Sequence, residues 1–342
     1  MTARDDVWFL DRFSKSWENL ALCAALAERG LRARIVDWDN LAVSGGIAGA
    51  VRDGRPVTAP RLAVVKSRVI TRRSTGDLAL IYDELEALEE AGTRISNPSA
   101  AIRRCRNKLR QAAILARAGL PVPETRSVSS QDEIQACMKD WGEVVLKPIW
   151  GHASLDVVRM RPGGRGIEEG TVLGIREEIA SWHLLEHHKT LCAQPFVPNP
   201  ARDLRVVVIG STIAAADYHI STSPDGAVRH FLYPLKVERA PITPALEEIV
   251  LGAVAALGLD AAVIDLVESS SGPVIIEVNE GLTVWRTVEG TGHDRTPHGF
   301  TALIADQLAD LAASTAASST SAPKRTGSDT GSPNAAPTPS TS

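Results

Sequence analysis

Apolar positions along the chain follow two periods, and the switches between them lay out the architecture. Val7–Leu10 is a short apolar run suited to a buried strand. Ser16–Glu28 follows with helical spacing at Trp17, Leu20, Leu22, Ala25 and Leu26, and Gly30 is a natural stop. Ala33–Val36 reads as a second strand, and a β-α-β start of this kind predicts a parallel sheet. Residues 44–60 are rich in Gly, Pro and small side chains and read as loop. Leu62–Val65 is a third strand, and Asp77–Glu90 a second long helix ending near Gly92.

The texture changes at Asn97-Pro98. Pro98 suits the first position of a helix running to about Arg104. Lys108–Arg117 is a further helix, ended by Gly119 and the turn Pro121-Val122-Pro123. Val144–Leu146 is a strand leading to Lys147-Pro148, with Val157–Met160 as its hairpin partner and Ile149–Leu155 as the joining loop. Ile175–Glu186 is expected to be helical. Beyond about residue 191 strands dominate. Leu204–Ile209 and Thr212–Tyr218 flank Gly210-Ser211, a two-residue hairpin turn. Thr243-Pro244 fits the cap and first position of a helix over Pro244–Leu257. Ala262–Val267 and Val274–Val278 are strands joined by a Ser/Gly-rich turn, and Phe300–Ala313 is a closing helix. From about 314 onward Ser, Thr, Pro and Ala show no periodicity, and a disordered tail over 314–342 is expected.

Composition narrows the class. At 342 residues the chain is long enough for two or three domains and for a core that needs no disulfides. The formal charge of −4 gives no bulk reason to expect a nucleic-acid or membrane partner. No run of about 18 apolar residues occurs, so no membrane-spanning segment is expected. Cys23, Cys105, Cys137 and Cys192 are scattered and read as free thiols in a reducing compartment; with no visible secretory signal, a cytoplasmic location is expected.

The densest chemistry lies in Ile264-Asp265-Leu266 and Ile276-Glu277-Val278-Asn279. Asp265 interrupts an apolar strand, and a carboxylate buried there is costly unless something compensates it. Glu277 and Asn279 are two apart and share one face of the next strand; if the two strands pair antiparallel, Asp265 can lie on that face too. Two carboxylates and an amide oxygen form a hard, oxygen-only set suited to Mg²⁺ bridging phosphates. The alternative is a pair of strand-end acids with ordinary hydrogen bonds. Lys147 ends an apolar strand, where its ammonium can pair with phosphate oxygens. The loop Gly151-His152-Ala153-Ser154 offers backbone N–H groups to the same phosphates. Gln194-Pro195-Phe196-Val197 is extended and can present backbone groups to an adenine edge. Asp203 and Arg205 share a face of the following strand: the acid suits a ribose hydroxyl, the arginine a phosphate or carboxylate, and a surface ion pair is the plainer reading.

In this order and spacing, these elements resemble the ATP-grasp superfamily, and within it the RimK-like and LysX-like carboxylate–amine ligases. The resemblance covers roughly residues 95–310. Asn97-Pro98 with Arg106-Asn107-Lys108-Leu109 resembles the family's motif whose lysine contacts the nucleotide. Lys147 matches its phosphate-binding lysine, Ser154 lies in its phosphate loop, Gln194–Val197 match its adenine hinge, and Asp203 and Arg205 match its D-x-R strand. Arg229 falls near an arginine of its nucleotide and substrate loop, and Asp265, Glu277 and Asn279 match its metal ligands.

The resemblance implies an α/β, ATP-grasp fold with α+β subdomains. An N-terminal α/β unit would span 1–96, a subdomain with the phosphate lid 97–190, and a subdomain with the metal site 191–313. It implies ATP and Mg²⁺, with Mn²⁺ as a substitute, and amide formation through an acyl phosphate. The partners would be a small-molecule carboxylate and an amine, in the sharper form an amino acid or small peptide. Arg205 and Arg229 would serve the reaction, and Arg229 and Arg286 would hold a substrate carboxylate. A homo-oligomer is allowed and nothing requires it. An ATP-grasp kinase acting on a hydroxyl is the alternative.

The chain departs from the pattern at several points. Its phosphate loop carries one glycine, Pro195 stands where an acid is common, and Glu280-Gly281-Leu282-Thr283-Val284-Trp285-Arg286 replaces the S-P-G-type segment of glutamate-adding ligases. His183, His187 and His188 read as a surface helix, not a metal site, and the basic run Arg103–Arg110 as a solvated helix face carrying one nucleotide-facing lysine.

Overall fold

The computed structural model describes residues 5–12, 17–38, 41–43, 50–52, 55–66, 69, 75–151, 156–161, 177–221, 235–281 and 297–320. The first part of the chain gives β1 (Val7–Asp11), α1 (Trp17–Glu28), β2 (Ala33–Asp37), β3 (Leu41–Val43), β4 (Ala50–Arg52), β5 (Arg55–Val57), β6 (Leu62–Val65), α2 (Thr75–Glu90) and β7 (Arg94–Ser96). As the β-α-β start predicts, β2-β1-β6-β7 is a wholly parallel sheet. Its central strands β1 and β6 are buried throughout because both faces are covered. Trp8 and Leu10 face Ile81, Leu85 and Leu88 of α2, while Val7 and Phe9 face Leu22 and Leu26 of α1. The loop expected over 44–60 is partly wrong: β3, β4 and β5 form a small antiparallel sheet. Its strands hold only three residues each, too few to show a period among small and turn-forming neighbours.

Next come α3 (Ser99–Arg106), α4 (Lys108–Arg117), β8 (Arg126–Val128), α5 (Gln131–Trp141), β9 (Val144–Pro148), β10 (Val158–Met160), α6 (Glu177–His188) and β11 (Leu191–Pro195). α4 has the expected bounds, but Pro98 caps α3 from outside instead of opening it. α5 is an addition to the expected elements. Its local signals are Ile134 and Cys137, buried at helical spacing, and the Ser130 hydroxyl, which accepts from Glu133 N–H at 3.3 Å. Strands β10-β9-β11-β8 form an antiparallel sheet over a core of Val144, Leu146, Leu184 and Leu191.

The third group is β12 (Arg202–Ile209), β13 (Thr212–Ser221), β14 (Leu235–Arg239), α7 (Pro244–Leu257), β15 (Ala261–Ser269), β16 (Gly272–Glu280) and α8 (Pro297–Thr320). The sheet runs β14-β13-β12-β15-β16, all antiparallel, so β16 is an edge strand. The two-residue turn lies where expected, with Ile209 opposite Thr212. Gly210 has φ +60°, the left-handed region that favours glycine, and a Cβ there would displace the tip of the Gln307 side chain on α8. Thr243 caps α7 through its hydroxyl, with Pro244 inside the first turn. α8 runs past the expected end at Ala313 to Thr320, taking in the start of the segment read as tail. Ala312, Ala313, Ala316 and Ala317 have high helix propensity, which outweighs the serines between them.

The sheets are joined by specific contacts. α8 returns to the first sheet: Ile304, Ala305 and Leu308 pack with Leu22, Leu26 and Phe9. Asn97 locks β15 to the end of β7. Its Oδ1 accepts from Ala261 N–H at 2.8 Å, and its Nδ2 donates to the Ala261 carbonyl at 2.8 Å. Arg94 pairs with Asp260 at 2.7 Å beside it.

Candidate active site

The site forms where α4, β9 and β11 meet the edge of the five-stranded sheet. Lys108 opens α4, whose first turn is fixed by Asn107: its Oδ1 accepts from Arg110 N–H at 3.0 Å. From there the Lys108 ammonium forms an ion pair with the Glu277 carboxylate and lies 3.3 Å from the Gly151 carbonyl. Lys147 projects from β9, its Nζ 3.5 Å from the carbonyl of Ile276. Burial pulls the Lys147 ammonium below the ordinary lysine range, although Glu277 opposes that pull. Burial would push Glu277 up, but Lys108, Lys147 and Arg205 together outweigh it, so its carboxyl is held below the usual range.

Strand register explains why these charges meet. Arg239, Asp217, Arg205, Asp265 and Glu277 are successive cross-strand partners from β14 to β16. Opposite charges alternate along this row until it ends on two neighbouring carboxylates, an arrangement that repels unless neutralised. Lys108 supplies cationic charge at that end. Arg205 Nε lies 3.4 Å from Asp265 Oδ1, and Asn279 Nδ2 donates to Asp265 Oδ2 at 3.1 Å. Asn279 thus engages Asp265 through its nitrogen, and its amide oxygen is a further hard acceptor at this corner. Two residues before Arg205 on β12, Asp203 sits opposite His219, with Nδ1 3.8 Å from its Oδ1.

Beside the lysines lies a small recess, a cleft lined by residues of α4, β9, β11 and β16. Ala112, Leu115, Val122 and Ile275 give it apolar walls; Lys108, Lys147 and Gln194 give it polar ends. Gln194 is buried in β11 and donates to the Thr125 hydroxyl at 3.0 Å. The next residues continue the strand edge. Pro195 is opposite Val144, and Phe196 N–H donates to the Glu143 carbonyl at 2.9 Å. The Arg159 guanidinium lies 3.4 Å above the Phe196 ring, and the Val197 carbonyl accepts from Asn199. Apolar walls beside two lysines are the chemistry that a base attached to a polyanion calls for.

As a metal site, the corner offers hard oxygens. Among the described residues no three His, Cys, Asp or Glu side chains are placed to hold a metal, and the oxygen donors at this corner are those of Asp265, Glu277 and the Asn279 amide. That set fits Mg²⁺, which accepts few protein ligands and completes its shell with water and phosphate.

Comparison with known proteins fixes the family. The profile of the RimK-like ATP-grasp domain matches residues 105–294, more than half of the chain. The chain belongs to the RimK-like ATP-grasp family. It is 33% identical over 190 residues to the tetrahydromethanopterin:alpha-L-glutamate ligase of Methanosarcina acetivorans, covering 55% of this chain and 58% of that one. The chain spans about six tenths of the length of the curated relatives it matches.

Two solved structures share the ATP-grasp fold. The ATP-grasp ligase PsnB, with a phosphomimetic variant of its minimal precursor, Mg and ADP, superposes with TM-score 0.63 at 18% identity. That likeness covers 91% of this chain and all of PsnB. A RimK domain protein from Sphaerobacter thermophilus gives TM-score 0.61 at 22% identity, covering 89% of this chain and 99% of that one.

Within this RimK-like domain, Lys108, Lys147, Arg205, Asp265, Glu277 and Asn279 converge on one corner. Ser154, Arg229 and Arg286 lie outside the described residues. The basic run does not form one solvated face. Arg106 Nε donates to the buried Glu280 carboxylate at 2.6 Å, and Arg104 donates to the Leu257 carbonyl at 2.9 Å. Glu280 has no visible partner in sequence, so this pairing is not legible there. Gln111, Cys192 and the cleft walls belong to no motif and emerge only from the structure. Lys108, Gln111, Ala112 and Leu115 recur at helical spacing, a signal that does mark one face of α4 toward the cleft. Cys192 is fully buried opposite Lys147, and burial pushes its thiol up, which leaves it an inert wall.

Proposed function

We propose that this chain is an ATP-dependent carboxylate–amine ligase. The observation that carries the reading is the corner where Lys108 and Lys147 meet Glu277 while Arg205 and Asn279 hold Asp265, at the mouth of an apolar cleft. Adenine would occupy the cleft, with Gln194–Val197 along its edge and Asp203 toward the ribose. The phosphates would extend to Lys147 and Lys108, with Ser154 as a further candidate contact. Asp265, Glu277 and Asn279 would hold Mg²⁺, which neutralises phosphate charge when bound.

The substrate carboxylate oxygen attacks the γ-phosphorus; that O–P bond forms as the bond to ADP breaks. The amine then attacks the acyl carbon, the C–N bond forms, and inorganic phosphate leaves. Lys147, Lys108 and Arg205 position the phosphates and offset their charge, so the work of the protein is alignment and electrostatics. No side chain becomes covalently attached.

The substrates we assign are an amino acid or small peptide and a partner acid or amine. The named glutamate ligase relative and the precursor-bound PsnB support this class. Arg229 and Arg286 are our candidates for gripping a substrate carboxylate, because arginine binds carboxylates through two parallel hydrogen bonds. The test is ADP release from ATP and Mg²⁺ against a panel of amino acids and peptides, with products identified by mass spectrometry. An amide product that needs both acid and amine supports the ligase. A stable phosphate ester formed on a hydroxyl would overturn it in favour of a kinase.

A further inference from the structure

Gln111 lies one turn beyond Lys108 on α4, and only 5% of its surface is exposed. Its side chain reaches the backbone of Val278, the residue between Glu277 and Asn279. Oε1 accepts from Val278 N–H at 2.9 Å, and Nε2 donates to the Val278 carbonyl at 2.7 Å. The same Nε2 donates to the Cys105 carbonyl at 2.6 Å, and the Cys105 thiol lies 3.0 Å from the Val278 carbonyl.

This geometry answers a problem set by the topology. β16 is the outer strand of its sheet, paired on one side by β15. Val278 is buried, so its outward N–H and C=O have no water to bond. A carboxamide is planar and carries one donor and one acceptor side by side, as a peptide group does. Gln111 therefore acts as a one-residue strand added to the edge. Side chains alternate along a strand, so fixing the backbone at Val278 fixes where Glu277 and Asn279 project.

We propose that Gln111 is a positioning residue for the metal corner, setting the spacing of Glu277 and Asn279 through the Val278 peptide. Gln111 reaches the metal corner only through the Val278 backbone, while the same residue lines the recess beside Lys108. Two contacts from α4 hold this strand in complementary ways, since Lys108 meets the Glu277 side chain and Gln111 meets the main chain one residue later. α4 also walls the cleft, so nucleotide seating and ligand spacing are coupled through one rigid helix. The inference rests on the reading of this corner as a nucleotide–metal site.

The test uses the full chain with Gln111→Met, which keeps length and apolar bulk but removes the hydrogen bonds. Gln111→Glu keeps the acceptor for Val278 N–H and loses the donor. Arg110→Ala, on the exposed side of α4, is the control. Amide hydrogen exchange followed by NMR reads the clamp directly, and Mn²⁺ titration by EPR in the presence of ADP reads the corner. ADP binding in EDTA reads the cleft alone.

Gln111→Met is expected to expose the Val278 amide to exchange and to weaken Mn²⁺ by about tenfold or more, the scale of other supporting partners of metal ligands. Because Gln111 also lines the recess, ADP binding in EDTA is the reference: Mn²⁺ affinity falls further than ADP affinity does, and Gln111→Glu falls between. A folded Gln111→Met protein with unchanged Val278 exchange, or with unchanged Mn²⁺ affinity, overturns the inference. If the unsubstituted chain binds no Mn²⁺ with ADP, the reading of the corner fails, and the inference with it. Exchange at Val278 would then still report whether the clamp exists, which separates the two failures.

Discussion

Lys108 and Glu277 form an ion pair across 169 positions of sequence, joining the first turn of α4 to the edge strand β16. Glu277 already faces Asp265 in register, and Lys108, with Lys147 and Arg205, makes two adjacent carboxylates tolerable in the same corner. In the function we propose, the same lysine charge would also meet phosphate, and the pair would belong to the binding machinery.

Glu277→Gln removes a carboxylate that we assign to the metal and leaves Lys108 and Lys147 without its charge. ADP formation should fall by at least about 100-fold, the scale on which a single electrostatic stabiliser acts. A coupled ADP assay on a protein shown folded by circular dichroism measures it. Turnover within about threefold of the unsubstituted chain would sink the mechanism.

Lys147 gives a pH signature. Burial lowers its folded pKa below the unfolded value, with Glu277 opposing. Its charge therefore costs the folded state stability below that pKa, and the cost is relieved as pH rises from the folded value to the unfolded one. Bound phosphate acts the other way and favours the ammonium. Nucleotide binding should take up a proton in the alkaline window above the lowered pKa, and affinity should weaken as pH rises through it. Calorimetry in two buffers of different ionisation enthalpy detects the uptake. Equal heats throughout that window would exclude Lys147 from phosphate binding.

Ala112 tests the cleft. It is 8% exposed and walls the slot we assign to adenine. Ala112→Phe drives a ring into that space at a cost of about 1–3 kcal/mol of stability. A fluorescent ATP analogue should no longer bind while thermal unfolding stays cooperative. Retained binding would place the base elsewhere.

Asn97 tests the joint between sheets. It is buried and bonds both backbone groups of Ala261. Asn97→Leu leaves those groups unsatisfied and should cost about 2–4 kcal/mol, seen as a lower midpoint in urea. A loss under about 0.5 kcal/mol would mean that water replaces the side chain.

The sequence by itself determined the local units and the identity of the chemistry. Strand and helix periods specify the parallel first sheet, α4, α7 and the turn at Gly210, because each rests on interactions within a few residues or on the pairing of neighbouring elements. Two carboxylates and an amide at fixed spacing point to a hard-metal corner for the same reason: alternation along a strand is local. Short strands such as β4 and β8 leave no such trace, since three residues carry no period. Tertiary structure alone decided what lies across from what. That Lys108 neutralises Glu277, that Arg106 meets Glu280, that Gln111 serves as a strand for Val278, and that α8 returns to α1 all depend on long-range packing. Such contacts form only when buried polar groups must find partners that water no longer supplies, and linear spacing does not record which partner that will be.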